Sequence, residues 1–414
     1  MKLSEDLQWR GQIKDKTFSD ITWLDTPKTF YLGVDCSAPS ITIGNLVPLM
    51  LARRLLDSGW KTVLLVGGAT SLIGDPGGKD NERDLKTRKE IEFNVQAIKK
   101  QVSKLFDGKD FTLVDNYDWF SKINYLDFLR DVGKHYSMTE LLQRDYIASR
   151  IGKDGSGISY AEFSYSLIQG YDYWHLYKKY NVVLQIGGSD QWGNMLSGVP
   201  LIRKKENADV QALSAPLVLD KTTGKKFGKS EDGAIWLDAK LTSPYKFYQF
   251  WLNVDDEGVL DYLKIYTLLS KKQIEDVMGQ FNIDKSSRYA QKTLAYEVTK
   301  IVHGQKKADS LQRISQALFV TKDYLNLTKE DFIELGAELG LYNVSKDSDL
   351  AQTLVDTKLA SSKAEARRFI KDNAVYCNGK QLNQDVTQLP PEYFYNDYLV
   401  LRRGKNNQVV VSII

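Results

Sequence analysis

The length, composition and charge of this chain exclude several classes of protein. With 414 residues, of which 42% are apolar and 26% charged, the chain is expected to be globular and to hold two or three domains. Its two cysteines, Cys36 and Cys377, predict neither a disulfide framework nor a metal site, and no apolar run reaches the length of a membrane span. The charged first residues, MKLSEDLQWRGQIKDK, lack the apolar core of a signal peptide, so a cytoplasmic location is the default expectation.

The net charge of +3 is concentrated near the C-terminus. Residues 351–414 hold nine Lys plus Arg against six Asp plus Glu, whereas the rest of the chain holds 47 of each. A basic segment on a neutral body indicates an anionic partner, although an ordinary solvated surface fits the same small surplus.

The first strand of the chain runs through a polar turn into a helix. A short helix containing Leu3 and Leu7 is predicted before it, and the strand FYLGV ends at Asp35. A helical period then begins at Ile43. Free N–H groups and the positive dipole end at such a helix start suit a phosphate, but every doubly wound protein contains turns of this kind.

Strands and helices alternate through the first half of the chain. The predicted strands are Lys61–Gly68, Phe111–Asp115 and Val182–Ile186, and the predicted helices are about Lys86–Leu105 and Tyr160–Tyr180. This alternation predicts a parallel α/β sheet. Ligands bind such sheets at the carboxyl ends of the strands, which is where Asp35, Asp75 and Asp190 fall.

Two stretches near these strand ends carry polar groups for a substrate. In the loop GATSLIGDPGGKDNER, Asp75 offers a carboxylate to an amine, and Lys79 and Arg83 offer cations to phosphates; a solvated surface turn is the alternative. On the helix Tyr160–Tyr180, a polar stripe lies on one face, either as a solvated side or as the wall of a pocket. The stripe consists of Tyr165, Gln169 and Asp172.

The stretch KKFGKS (Lys225–Ser230) carries a second phosphate signal. Lys226 and Lys229 flank Gly228, so both ammonium groups can converge on one polyphosphate and stabilise charge that develops on a leaving pyrophosphate. The sequence has no GxxxxGK[ST] pattern, which disfavours a P-loop ATPase. It has no visible Ser/His/Asp arrangement, and three histidines in all disfavour a histidine-based metal enzyme.

The second half of the chain is predicted to be helical at first and mixed at its end. Helices are expected beyond Pro244 to about residue 320, followed by a polar linker and a last segment of helices and short strands. Within that segment, Asn378-Gly379 predicts a hairpin turn.

Several of these stretches together resemble the bacterial-type tyrosyl-tRNA synthetases, over nearly the whole chain. The resemblance rests on the two phosphate signatures and on LQIGGSDQWGN (Leu184–Asn194), FSYSLIQGYD (Phe163–Asp172) and LRDVGKHY (Leu129–Tyr136). It implies a Rossmann-like α/β catalytic domain, followed by an α-helical domain and a small α+β S4-like RNA-binding domain.

The resemblance also implies domain boundaries. The expected segments are a catalytic domain at 1–220 with a helical insertion at about 117–160 as the dimer interface, a KFGKS loop and linker at 221–246, an anticodon-side helical domain at 247–322, a linker at 323–349 and the S4-like domain at 350–414.

The activity implied by the resemblance has two steps. L-tyrosine and ATP form tyrosyl-adenylate and pyrophosphate, and the tyrosyl group then moves to the 3′ end of tRNA(Tyr). Mg²⁺ would accompany ATP, held mainly by its phosphates and water, with no metal site in the protein. The implied partners are tyrosine, ATP, tRNA(Tyr) and a second copy of the chain, without DNA or membrane.

The resemblance assigns roles to individual residues. For tyrosine, Tyr31 and Asp172 receive the phenol hydroxyl, Asp75, Tyr165 and Gln169 surround the ammonium group, and Gln191 receives the carboxylate. The implied ATP-binding residues are Gly33, Asp35, Ser37, Gly44, Asn45, Gly187, Asp190 and Lys229. The implied catalytic residues are Ser37, Thr42, Asn45, Lys79, Arg83, Lys226 and Lys229.

One signature departs from the family pattern. The usual HIGH-type signature reads Thr42-Ile43-Gly44-Asn45 here, so an imidazole is absent from the triphosphate and weaker stabilisation is expected at that point. This departure motivates a second reading, an RNA-binding protein on a synthetase scaffold whose catalysis has decayed. A third reading, the sibling tryptophan enzyme, is disfavoured because the Asp172 carboxylate matches an indole poorly.

Overall fold

A computed structural model describes residues 1–75, 86–151, 156–230, 233–321, 323–345, 348–405 and 407–413. The chain forms two compact units. The first consists of Met1–Thr242 with Val254–Leu294, and the second consists of Ser243–Asn253 with Ala295–Ile414.

The first unit is built on a parallel sheet in the order β3-β2-β1-β4-β5. Its strands are β1 (Thr29–Asp35), β2 (Lys61–Gly67), β3 (Thr112–Asp115), β4 (Leu184–Gly188) and β5 (Gln211–Ala215). The apolar runs of β1 and β2 are buried because helices cover both faces of such a sheet. The strand order reverses between β1 and β4, which is the switch point where parallel sheets bind ligands. The sequence analysis did not predict β5, whose small residues carry little strand signal.

Helices connect these strands. They are α1 (Leu3–Trp9), α2 (Ile43–Asp57), α3 (Thr70–Ile73), α4 (Arg88–Leu105), α5 (Tyr117–Phe120), α6 (Tyr125–Asp131), α7 (Met138–Leu142), α8 (Asp145–Ile151), α9 (Tyr160–Tyr180), α10 (Trp192–Met195) and α11 (Gly198–Glu206). Helix α9 has the predicted bounds because Ser159 caps it in a capping box with Glu162. Helix α4 begins two residues later than predicted, since Thr87 is its cap.

The short strand β6 (Lys229–Ser230) ends the KKFGKS stretch, and β7 (Gly233–Ala234) follows it before a mainly helical stretch. Its helices are α12 (Pro244–Leu252), α13 (Val259–Tyr266), α14 (Lys271–Ile283), α15 (Tyr289–His303), α16 (Gln305–Gln316) and α17 (Lys329–Leu339). The segment expected as one domain at 247–322 therefore divides, with Val254–Leu294 in the first unit. Arg10 and Arg54 explain this, since both donate hydrogen bonds to the Lys264 carbonyl at the end of α13.

The C-terminal sheet has the order β10-β9-β11-β12-β8. Its strands are β8 (Leu341–Val344), β9 (Val375–Cys377), β10 (Lys380–Gln381), β11 (Tyr398–Arg403) and β12 (Asn407–Ile413), and the helices α18 (Leu350–Asp356) and α19 (Lys363–Lys371) pack with it. Asn378 and Gly379 both have positive φ, 44° and 77°, so the hairpin turn predicted between β9 and β10 is present.

The expected linker at 323–349 is wrong for residues 329–344, which form α17 and β8. Phe332 and Leu335 of α17 are buried, whereas four of the five charged residues of the helix are exposed or half-buried. The sequence of such an amphipathic helix has the composition of a polar linker. Strand β8 pairs with β12 through its backbone, which needs no strong side-chain pattern.

Both cysteine thiols, Cys36 and Cys377, are buried and unbridged. Among the described residues, none of the helices has the length and apolar character needed to cross a bilayer.

Candidate active site

The candidate site lies at the carboxyl ends of β1 and β4. Tyr31 of β1 is paired with Gln185 of β4, and side chains alternate along a strand, so Gly33 and Gly187 lie on the same face as that pair. Gly33 is exposed although β1 is the central strand. Gly33 therefore leaves a place on β1 without a side chain where a ligand can approach the backbone, whereas Gly187 is buried and a Cβ atom there would lie 2.9 Å from Met195 Sδ.

Tyr31 and Asp172 form the buried floor of this site. Tyr31 is 1% exposed, and its hydroxyl has no hydrogen-bond partner within the part of the chain that the structure describes. Asp172 of α9 is 2% exposed. Burial, and then the nearby Asp172 carboxylate, raise the pKa of Tyr31 well above its usual range. A phenol and a carboxylate therefore lie close together in a buried part of the unit.

Asp172 is held by two residues that the sequence analysis missed. Asn116 Nδ2 donates to Oδ2 at 3.1 Å, and Trp119 Nε1 donates to Oδ1 at 2.9 Å. Burial raises the pKa of Asp172 to about 7, while these two donors act in the opposite direction because they stabilise the carboxylate. The available signal was position: both residues come directly after β3, at the carboxyl edge of the sheet.

A second polar group forms around Asp75. The Gln191 side-chain amide donates to Asp75 Oδ2, and Asn194 Nδ2 donates to Oδ1 at 3.1 Å. Asp75 is 6% exposed. On α9, Tyr165 is buried and Gln169 is half-buried, so the polar stripe of that helix is not simply a solvated side. The arrangement suits a cationic group that a carboxylate and amide oxygens would receive.

The turn before α2 carries several of the predicted residues. Asp35 Oδ1 accepts hydrogen bonds from Ser71 Oγ and from the Cys36 amide, and Ser37 lies half-buried in the turn. Thr42 directly precedes α2, and its Oγ1 donates to Asn45 Oδ1 at 2.8 Å.

The KKFGKS loop packs against this turn. Gly228 has a φ of +98°, and a Cβ atom there would lie 2.7 Å from Ile43 Cγ1. Lys226 Nζ lies 3.3 Å from Asp190 Oδ2, and its Cε lies 4.0 Å from where a Cβ of Gly44 would be. The two phosphate signatures, far apart in sequence, therefore meet.

Three predicted residues are not placed with these groups. Lys79 and Arg83 lie outside the described residues, and so does the side chain of Lys229, whose backbone begins β6. In the ranges that the structure does describe, no group of three His, Cys, Asp or Glu could hold a metal ion.

Two family models match the chain. The one described as tRNA synthetases class I (W and Y) matches residues 25–320, and the one described as tyrosine–tRNA ligase SYY-like C-terminal domain matches residues 333–411. The chain is 42% identical to a tyrosine–tRNA ligase of Limosilactobacillus fermentum, over 100% of both chains. It is 41% identical to one of Pectobacterium atrosepticum, over 99% of this chain and 98% of the relative.

Solved structures agree with these matches. The C-terminally truncated mitochondrial tyrosyl-tRNA synthetase of Aspergillus nidulans is similar with a TM-score of 0.70 and 31% identity, covering 77% of this chain and 94% of that one. A tyrosyl-tRNA synthetase of Archaeoglobus fulgidus complexed with L-tyrosine has a TM-score of 0.54 at 17% identity, covering 75% of this chain and 100% of that one; it supports the fold alone.

Replacing Gly228 by alanine tests the contact between the loop and α2. Gly228→Ala is expected to lower the free energy of unfolding by about 1–3 kcal/mol, because the new methyl group meets Ile43 and the backbone has a positive φ. Gly224→Ala is the matched control, since Gly224 also has a positive φ (+66°) but nothing lies within 4 Å of its added Cβ. If urea unfolding shows equal losses of unfolding free energy in the two variants, backbone strain explains the loss and the contact with Ile43 does not.

Proposed function

This chain belongs to the class I tyrosyl-tRNA synthetases, and from that premise we propose how its site joins L-tyrosine to ATP and passes the tyrosyl group to tRNA(Tyr). The observation that carries the proposal is the buried Tyr31 hydroxyl, which lacks a partner among the described residues and lies near the Asp172 carboxylate. The reaction needs no protein nucleophile, since the tyrosine carboxylate attacks the α-phosphate in line.

The floor of the site is proposed to read the phenol hydroxyl of tyrosine. The substrate hydroxyl would donate to Asp172 and pair with the Tyr31 hydroxyl, which lacks a partner among the described residues. Phenylalanine has no hydroxyl and would leave these buried polar groups unpaired. The free-energy penalty of the unpaired groups would weaken its binding relative to tyrosine. A neutral, apolar pocket would not discriminate in this way.

The group around Asp75 is proposed to hold the amino-acid end. The substrate ammonium would replace the Gln191 amide at Asp75, with Tyr165 and Gln169 beside it. Gln191, released from Asp75, would then donate to the substrate carboxylate. This places the attacking carboxylate toward the exposed Gly33 of β1.

The nucleotide is proposed to lie beside Gly33 at the carboxyl end of β1, with its phosphates between the start of α2 and the KKFGKS loop. Asp190 and Asn45 would contact the ribose, and Lys226 and Lys229 would stabilise charge developing on the leaving pyrophosphate. Gly33, Asp35, Ser37, Gly44 and Gly187 complete the proposed ATP set, with Lys79 and Arg83 as further phosphate ligands. ATP would arrive with Mg²⁺ bound to its phosphates and water.

Thr42 is proposed to act through Asn45. Because Thr42 Oγ1 donates to Asn45 Oδ1, the amide nitrogen of Asn45 is directed away from Thr42 and is available to a ribose oxygen. Thr42 would thus orient the last residue of the signature in place of contacting the triphosphate as an imidazole would.

The exchange of labelled pyrophosphate into ATP tests the activity. We expect exchange with tyrosine and not with phenylalanine. Lys226→Ala is expected to slow it about 10²-fold, because the lysine acts mainly in the transition state. Lys225→Ala is the matched control, since that neighbouring lysine is also exposed and has no proposed role. No exchange with tyrosine would favour the decayed scaffold.

The raised pKa of Asp172 predicts a pH dependence of tyrosine binding. The carboxylate form accepts the substrate hydroxyl, and it predominates above a pKa of about 7, so the affinity should increase between about pH 6 and pH 8. Asn116→Ala removes a donor that lowers this pKa, so the inflection should move to higher pH. The measurement is equilibrium binding of tyrosine against pH; an unmoved inflection in Asn116→Ala would contradict the assignment.

A homodimer through the helical insertion is proposed from its exposed apolar side chains. These are Tyr125, Leu126, Met138, Leu142, Ile151 and Tyr160, all on α6 to α9. Clustered exposed apolar groups of this kind mark interaction surfaces.

The double variant Leu126→Asp with Met138→Asp is expected to sediment as a monomer, because two charges would be buried without partners in the interface. Ile283→Asp is the control, since Ile283 is 88% exposed and lies outside the insertion. If the double variant still sediments as a dimer in sedimentation velocity, the interface does not lie on this face.

The C-terminal segment is proposed to bind tRNA, and the protein to act in the cytoplasm where tRNA is charged. Lys363, Arg367 and Lys371 are exposed and spaced four residues apart on α19, so they share one face. Their charges suit the phosphates of an RNA.

Arg367→Ala with Lys371→Ala is expected to raise the KM for tRNA and to reduce the salt dependence of tRNA binding by about two units of slope. Pyrophosphate exchange by the same variant should be unchanged, because it involves no tRNA. Equal tRNA binding by the variant and the unaltered protein, over a range of salt, would argue against this face.

A further inference from the structure

We propose that Phe227 and helix α13 form a platform that positions the lysines of the KKFGKS loop. Phe227 stands between Lys226 and Gly228 and is 5% exposed. Its ring is stacked on Tyr262 of α13, with centroids 4.2 Å apart and an interplanar angle of 23°, and Tyr266 lies 5.9 Å away. The inference rests on the proposed function and names residues that act through the lysines.

The backbone around Phe227 gives neighbouring side chains opposite directions. The Phe227 amide donates to the Val218 carbonyl at 2.9 Å, and the loop pairs with the chain before its turn as a short hairpin. Successive side chains of an extended chain point to opposite faces. Because the Phe227 ring points into the core, the Lys226 side chain points toward the surface. Lys226 is indeed half exposed and reaches Asp190 at 3.3 Å.

Helix α13, against which Phe227 packs, is held by hydrogen bonds from α2, the helix that begins at the first phosphate signature. Arg54 belongs to α2, the helix that begins at the first signature, and its Nη2 donates to the Lys264 carbonyl at 3.0 Å. Arg10 Nη1 donates to the same carbonyl at 2.9 Å. These bonds satisfy carbonyls at the end of α13, which would otherwise lack partners. Helix α2 therefore sets both the first signature and the position of the platform.

The polar contact of the loop with Asp190 restrains the loop less than the stacked Phe227 ring does. The Lys226–Asp190 pair has both side chains about half exposed, and exposed ion pairs contribute little. The stacked ring is a buried anchor, and aromatic pairs have a preferred geometry. Loss of the ring would let the lysines shift from the leaving group, and small displacements of this kind reduce rates strongly.

The inference predicts a change in rate without a change in tyrosine binding. Phe227→Leu and Tyr262→Leu should each lower the rate of adenylate formation at saturating tyrosine and ATP by about tenfold. The dissociation constant for tyrosine should be unchanged. The double variant should be no slower than either single variant, because the two rings make one contact. Tyr262→Phe keeps the ring and should restore the rate.

Phe106→Leu is the matched control. Phe106 is 1% exposed and packs against Phe111 in the same unit, away from the site, so it tests the general cost of removing a buried aromatic ring. Exchange by the unaltered protein is measured first, since its absence would overturn the proposed function itself. With exchange present, unchanged rates in Phe227→Leu and Tyr262→Leu would overturn the platform, as would a loss of rate in Phe106→Leu as large as theirs. If Phe227→Leu fails to fold, comparison of Tyr262→Leu with Tyr262→Phe decides the question.

Discussion

The close contact between Gly228 and Ile43 is the constraint on which the nucleotide site depends. A side chain at position 228 would meet Ile43 at 2.7 Å and would need a backbone with a φ of +98°. Only glycine meets both conditions at low cost. Because this contact exists, Lys226 reaches Asp190, and the loop lies over the start of α2. The N-terminus of α2 and the side chain of Lys226 are thereby close together, an arrangement that suits the proposed binding of a polyphosphate.

The environment of the buried Asp172 carboxylate has opposing effects on its ionisation. A carboxylate buried among aromatic rings costs free energy, and this is why the pKa of Asp172 rises to about 7. Asn116 and Trp119 reduce the cost by donating one hydrogen bond to each oxygen. The pKa of the Asp172 carboxyl group therefore lies close to neutral pH, and a hydroxyl that donates a hydrogen bond to it would stabilise the ionised form. In its proposed role, this carboxyl group would favour tyrosine over phenylalanine because an unpaired buried polar group carries a large free-energy penalty.

Local patterns were sufficient for much of the fold. Alternating apolar residues predicted β1, a continuous apolar run predicted β2 and helical spacing predicted α9. The alternation of strands and helices predicted the parallel sheet, which the structure confirms. Local patterns failed for one helix with many charged residues and for two strands that are held mainly by backbone pairing. Helix α17 reads as polar because its charged residues outnumber its buried apolar ones, and β5 and β8 owe their place to pairing with neighbours. The roles of the individual site residues stay predictions.

The amino-acid sequence by itself determined the class of fold, the family and the position of the candidate ligand groups at the strand ends. These follow from periodicity, turn chemistry and motifs, each contained within a few neighbouring residues. Only the tertiary structure decided which residues support those groups. Asn116 reaches Asp172, Arg54 reaches Lys264 and Phe227 stacks on Tyr262 across long separations in sequence. No local spacing encodes such contacts, because they arise when the packing of distant elements brings the side chains together.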